Sequence, residues 1–346
     1  MAKNNYQKRL ESLKKRRQDE VLLEKSIGMF TESYEQLEEK SSIKYIIGAM
    51  NPVDKRSTEI TLGEGERIKN QLAKLKEKGY EIEFRYQGSV TNNTHIKAHS
   101  DIDILTLHQG FTTLEPPLKA SSPYKGNPVQ DLCELREDSY ELLKNAYPAA
   151  SIDNEGAKSI SLQGGSLRRK VDVVPSNWYD TVKYQNTKLE YYRGVMVLDY
   201  KEKTRIANTP FYHNKLLDDK DTHTSYNFKK VVRLLKTLKA DAEHKINLSS
   251  YDITAIMYHM QESSYLISRS PLRLVSNSIA FLRTLYEQDS HRNSLFVPDG
   301  SRKIFQNGGA TKADLTLLLV ELINIYEDLL DDLKITGGSV NKEIIA

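Results

Sequence analysis

An α+β fold is predicted, with a strand-bearing half followed by a helical half and an N-terminal helix that spans the two. Two observations carry this. Between residues 80 and 207 apolar side chains recur with period two; after about residue 210 they recur at helical spacing.

Taken in order, residues 5–40 read as one long helix. Leu23, Ile27, Phe30, Tyr34 and Leu37 form its apolar stripe, with Lys, Glu and Arg opposite. The stripe lasts only about two heptads, so core packing is expected and not a coiled coil. Residues 60–78 form a second helix, ended by Gly79. In Tyr80–Gln87, Ile82, Phe84 and Tyr86 alternate with polar residues as in a half-buried strand, and Ser100–Leu107 reads as another. Residues 127–146 are helical, with Asn127 as N-cap and Pro128 at the first position. Lys158–Leu162 and Lys170–Val174 flank Gln163-Gly164-Gly165 as a hairpin, and a further strand pair lies within 188–207. Helices are expected over 225–244, 249–263, 270–288 and 310–334. The last carries Leu315, Leu318, Leu322, Ile325 and Leu329 on one face.

Composition narrows the function classes. The 346 residues include 50 basic and 47 acidic side chains, so the net charge of +3 gives no global field for a polyanion. A local phosphate pocket is invisible in that sum. The lone cysteine, Cys133, forms no internal disulfide and builds no zinc site; a helix-face thiol is expected there. His95 and His99 lack the spacing of zinc ligands and read as loop residues. No stretch approaches 18 apolar residues and Met1–Arg17 has no signal-peptide character. A cytoplasmic protein without membrane contact is expected.

The chemistry concentrates in one constellation. Gly88-Ser89 sits where a strand ends, Thr94 follows, and the next strand carries Asp101-Ile102-Asp103. Glycine allows close backbone approach to a phosphate, and the serine can donate to it. Alternation puts Asp101 and Asp103 on one face, about 6.5–7 Å apart at Cα. Two such carboxylates can converge on a pair of Mg²⁺ ions roughly 4 Å apart, Mn²⁺ being an acceptable substitute. A third acid is wanted. Asp172 supplies one, set among Val171, Val173 and Val174; Asp199, which ends another apolar strand pattern, competes for the role.

A Gly-Ser, a downstream Thr, an Asp-x-Asp and a later strand Asp resemble the signature of the DNA polymerase β-like nucleotidyltransferase superfamily. Within it the chain resembles the bacterial CD-NTases, relatives of animal cyclic GMP-AMP synthase and of oligoadenylate synthetase. Tyr45–Asp54, Glu64–Leu72, Ser89–Asp103 and Lys170–Pro175 carry the match. Lys229–Lys239 resembles the family helix whose lysine holds the phosphates, which places that role on Lys236. Leu248–Tyr251 resembles the family's Ser-Tyr, giving phosphate contact to Ser250 and base stacking to Tyr251. The likeness spans roughly residues 45–265.

The resemblance implies a polymerase β-like nucleotidyltransferase sheet with helices, plus a C-terminal helical bundle. It divides the chain into a catalytic core over 1–210, N-terminal helix included, a helical domain over 211–335 and a flexible tail over 336–346. It implies an enzyme with two Mg²⁺ ions on Asp101, Asp103 and Asp172, and with Gly88 and Ser89 on the donor phosphates. NTPs would become a cyclic di- or oligonucleotide second messenger, sensed by a downstream effector in anti-phage signalling. The alternatives are a linear nucleotidyltransferase acting on RNA ends and an inactive nucleotide-binding module. DNA gripping by a zinc insertion is not expected with one cysteine. The C-terminus, Lys342–Ala346 after Gly337-Gly338, is a candidate for conjugation by a ubiquitin-ligase-like partner.

Overall fold

The computed structural model describes residues 5–17, 39–98, 100–267 and 272–335. In chain order the main elements are α1 (Tyr6–Arg17), α2 (Ser41–Met50), α3 (Lys55–Leu72), β1 (Ile82–Gln87), β2 (Ile102–Leu114), α4 (Pro128–Ala146), β3 (Ser151–Asp153), β4 (Ile160–Gly164), β5 (Leu167–Asp180), α5 (Val182–Thr187), β6 (Gly194–Asp199), β7 (Thr204–Asn208), α6 (Pro210–His223), α7 (Phe228–Asp241), α8 (Ser250–Tyr258), α9 (Arg273–Glu287), α10 (Asp289–Ser294) and α11 (Lys312–Ile335). They form two compact units. One holds residues 54–92 and 99–215; the other holds 1–53, 93–98 and 216–346.

The first unit is built on a seven-stranded mixed sheet ordered β1-β2-β5-β4-β3, with β6 paired to β5 and β7 to β6. β2 and β5 run parallel; the other pairs are antiparallel. Side chains alternate across the sheet. Ile102, Ile104, Val171 and Val173 therefore share one face, where Ile68 and Leu72 of α3 and Leu132, Leu135 and Leu143 of α4 complete a core. Leu105, Leu107, Val174, Trp178, Val195 and Val197 cluster on the opposite face. Asp54 caps α3 by accepting from the amides of Arg56 and Ser57, and Asn127 caps α4 in the same way. The buried Arg136 of α4 donates to the carbonyls of Asn154, Gly156 and Ser159 and so fixes the loop between β3 and β4.

The second unit is helical. Leu13, Ile43, Tyr45 and Ile46 share one core with Phe228, Val231 and Leu235 of α7, Ile253 and Ile256 of α8, Leu282 of α9 and Leu315, Leu322 and Ile325 of α11. These two units divide the chain differently from the expected core over 1–210 and helical domain over 211–335. Of the described N-terminal residues, 5–17 and 39–53 fall in the helical unit, where Leu13, Ile43, Tyr45 and Ile46 complete the core. Spanning of both halves by the N-terminal helix is likewise unsupported. Of the expected helix over 5–40, Tyr6–Arg17 is helical; Leu23, Ile27, Phe30, Tyr34 and Leu37 lie outside the described residues. The tail over 336–346, with its conjugation candidate, and His99 also lie outside them.

Five of these elements, β3, α2, α5, α6 and α10, were not expected, and α5 and α10 are only six residues each. β3 is only three residues long, too short to show alternation. α2 is buried at seven of its ten positions, so no polar face marks it as helical. α6 starts at Pro210, where the strands end. Among the described residues no helix is long and apolar enough to cross a membrane.

Candidate active site

Alternation on β2 and β5 sends the acids to the face opposite Ile102, Ile104, Val171 and Val173. Asp103 and Asp172 are direct partners across the parallel pair. Asp101 lies one residue before β2 begins and is exposed. Asp199 is elsewhere: it ends β6 opposite Thr204 and accepts from the amide of Glu202, capping a turn. Register therefore puts Asp172, and not Asp199, beside Asp103.

Gly88 follows the last residue of β1, Gln87, which pairs with Asp103. Its φ of 93° is one that side-chain-bearing residues rarely adopt, and a Cβ there would stand 2.7 Å from Asp103 Oδ2. The glycine thus presses backbone against the carboxylate. A short chain of polar contacts steadies the turn. The Thr91 hydroxyl donates to the Gly88 carbonyl at 2.8 Å, the Asn214 amide donates to Thr91 Oγ1 at 3.1 Å, and the Asn92 amide donates to Asn214 Oδ1 at 3.1 Å. Ser89 is half-buried in the same loop.

The site is electrostatically loaded. Burial first, then the charges of Asp172 and Asp101, push the Asp103 carboxyl up to about 7, and Lys170 pulls it back only in part. Asp172 Oδ1 is buried without a hydrogen-bond partner. Its Oδ2 accepts from Lys170 Nζ at 2.8 Å, and the same ammonium reaches Asp101 Oδ2 at 3.1 Å. Burial opposes the charge on Lys170, but the two carboxylates outweigh it and raise its pKa. Sequence reading missed Lys170. Its signal was the i, i+2 spacing to Asp172, which puts both on one strand face.

As these side chains stand, no three His, Cys, Asp or Glu residues among the described ones enclose a metal ion. The donor set nevertheless fits a divalent cation. It is all oxygen, one buried carboxylate oxygen is unsatisfied, and one acid is held near neutrality for want of positive charge.

Three expected nucleotide contacts lie in the helical unit. Lys236 is buried on α7, and its ammonium donates to the Thr94 carbonyl. Burial, with Arg233 and Lys239 nearby, lowers its pKa to about 8. Ser250 begins α8 and is exposed, behind Ser249, whose hydroxyl caps the helix. Tyr251 is exposed too, with the Arg302 guanidinium 5.3 Å from its ring centroid. His95 is a loop residue, as expected, and its side chain is buried. Cys133 is a half-buried thiol on α4, as expected.

A glycine turn pressed against paired strand carboxylates, on a mixed sheet, defines the nucleotidyltransferase class. Residues 215–327 match the cGAS/DncV-like nucleotidyltransferase C-terminal helical domain. The cyclic dinucleotide synthase CdnE of Yersinia aleksiciae is 40% identical over 294 residues, covering 82% of this chain and 75% of that protein. The c-di-GMP synthase of Capnocytophaga granulosa is 32% identical over 355 residues, covering 95% and 99%. The solved structure of the STING-associated CdnE c-di-GMP synthase from Capnocytophaga granulosa superposes with a TM-score of 0.78, over 95% of this chain and 99% of that one. A second such synthase, from Flavobacteriaceae sp., gives 0.80 at 24% identity, covering 95% and 99%, and shows the shared fold. The chain belongs to the bacterial CD-NTase family of nucleotidyltransferases.

Proposed function

We propose that the protein is a divalent-metal-dependent synthase that joins two NTPs into a cyclic dinucleotide, a second messenger read by a downstream effector in anti-phage defence. The observation that carries this is the contact geometry of Gly88 with Asp103, and of Asp103 with Asp172. A glycine turn lies directly against the acids, which supports phosphate binding there. The synthases that resemble this chain support the cyclic product.

In this reading Asp101, Asp103 and Asp172 would hold two Mg²⁺ ions. When bound, these supply charge stabilisation on the attacking and leaving oxygens of an in-line displacement. Asp172 orients the attacking ribose hydroxyl and accepts its proton. Gly88 and Ser89 receive the β- and γ-phosphates through backbone amides and the serine hydroxyl. Exposed Ser250 and Tyr251 take a phosphate contact and a base stack.

The test is product analysis. Protein incubated with radiolabelled NTPs and Mg²⁺ is expected to yield a phosphatase-resistant product and pyrophosphate. A phosphatase-sensitive ladder would instead indicate linear transfer, and NTP binding without pyrophosphate release an inactive module. A smaller effect checks the donor loop. Asn214→Ala removes the donor to Thr91 and the acceptor for Asn92, a middle link of the contact chain that steadies the Gly88 carbonyl. It is expected to raise KM for NTP about three- to tenfold, the loss of about one hydrogen bond, with kcat little changed. An unchanged KM would remove this network from substrate binding.

A further inference from the structure

Lys170 stands among the acids with no part in the chemistry proposed above. Its ammonium sits on Asp101 Oδ2 at 3.1 Å and on Asp172 Oδ2 at 2.8 Å. Because Lys170 and Asp172 are two residues apart on β5, they project from the same face, and the short tether keeps the ammonium by the acids. We infer that Lys170 competes with the divalent cation for Asp101 and Asp172, and that it must swing out to let the cation bind. The inference rests on the reading of these acids as metal ligands.

Three observations support displacement over permanent bridging. Lys170 holds one oxygen of each acid, and a cation shared by Asp101 and Asp172 would stand close enough to the ammonium to repel it. The exit is open: the side chains of Lys170 and Asp101 are 34% and 52% exposed. The bridge also leaves the site incompletely neutralised, since Asp172 Oδ1 keeps no partner and Lys170 makes no hydrogen bond to Asp103. A divalent ion answers that deficit better than one ammonium. The consequence is a threshold. A cation arriving alone must displace the lysine, whereas a cation arriving on a triphosphate brings an anion that can receive the freed ammonium. Metal and nucleotide would then load together.

Two measurements decide the matter. Mn²⁺ binding without nucleotide, followed by electron paramagnetic resonance, is expected to be about fivefold or more tighter in Lys170→Met than in the wild type. Removing a competing state removes its penalty on apparent affinity. Lys170→Arg should stay near the wild-type value. Equal or weaker binding in Lys170→Met would overturn the inference. The second measurement needs no variant. Acetylation of Lys170 in the wild-type protein, quantified by peptide mass spectrometry, is expected to rise several-fold on saturation with Mn²⁺; unchanged labelling would overturn displacement. Asp103→Asn/Asp172→Asn protein separates the two readings. If it binds Mn²⁺ as the wild type does, the metal site itself fails and Lys170 competition with it. If it loses binding while Lys170→Met gains nothing, Lys170 competition alone fails.

Discussion

Asp103→Asn is expected to lower product formation about 10³-fold or more, equivalent to at least ~4 kcal/mol of transition-state stabilisation. Asparagine keeps the shape but brings one acceptor oxygen and no charge. The substitution should also change stability, and in the opposite sense. Burial and two neighbouring acids push the Asp103 carboxyl up to about 7. Between its unfolded value near 4 and about 7, the folded chain keeps a proton that the unfolded chain has lost. Stability of the wild type therefore falls as pH rises through that window and levels off above it. An asparagine side chain does not titrate. In chelator, Asp103→Asn should match the wild type near pH 4 and melt a few degrees higher by pH 8. An inactive variant that gains stability separates chemistry from folding. A variant that is inactive and also less stable at pH 8 would mean that Asp103 supports the fold instead.

How far the sequence reached is set by the range of the forces involved. The Gly-Ser turn, the acids and the inward valines were legible because strand alternation is local: Ile102 and Val171 face the core, so Asp103 and Asp172 face away. The choice of Asp172 over Asp199 needed register across the sheet, which one strand does not encode. The N-terminal residues were assigned to the wrong half because Tyr45 and Ile46 find their partners on α7, far along the chain. The surroundings of Lys236 were out of reach for a related reason. A charge-rich run reads as a solvated face, yet Lys229, Arg233 and Lys236 are all buried, each ending on a carboxylate or a carbonyl. Lys170 was overlooked although its signal, two residues from Asp172 on one strand, was local.

Gly88→Ala is expected to abolish most product formation, about 10²-fold or more, and a second glycine shows why the loss is not merely strain. Gly79, after the 3₁₀ turn that follows α3, has nearly the same backbone, φ 90° against 93°. An alanine at either position carries the conformational cost of positive φ, about 1–2 kcal/mol. Around Gly79, however, nothing lies within 4 Å of an added Cβ, whereas at Gly88 it would meet Asp103 Oδ2 at 2.7 Å. Real Cβ atoms do not tolerate that distance, so the carboxylate must turn. Asp103 is the acid that pairs with Asp172, and a turned carboxylate no longer offers its oxygen beside Asp172. Gly79→Ala should thus lower the melting temperature while sparing activity. Gly88→Ala should show a similar melting loss together with loss of both product and Mn²⁺ affinity. If both alanines leave activity intact, the close approach at Gly88 is dispensable and the phosphates bind elsewhere. If both destroy it, backbone strain alone accounts for the loss, and the contact with Asp103 carries no special weight.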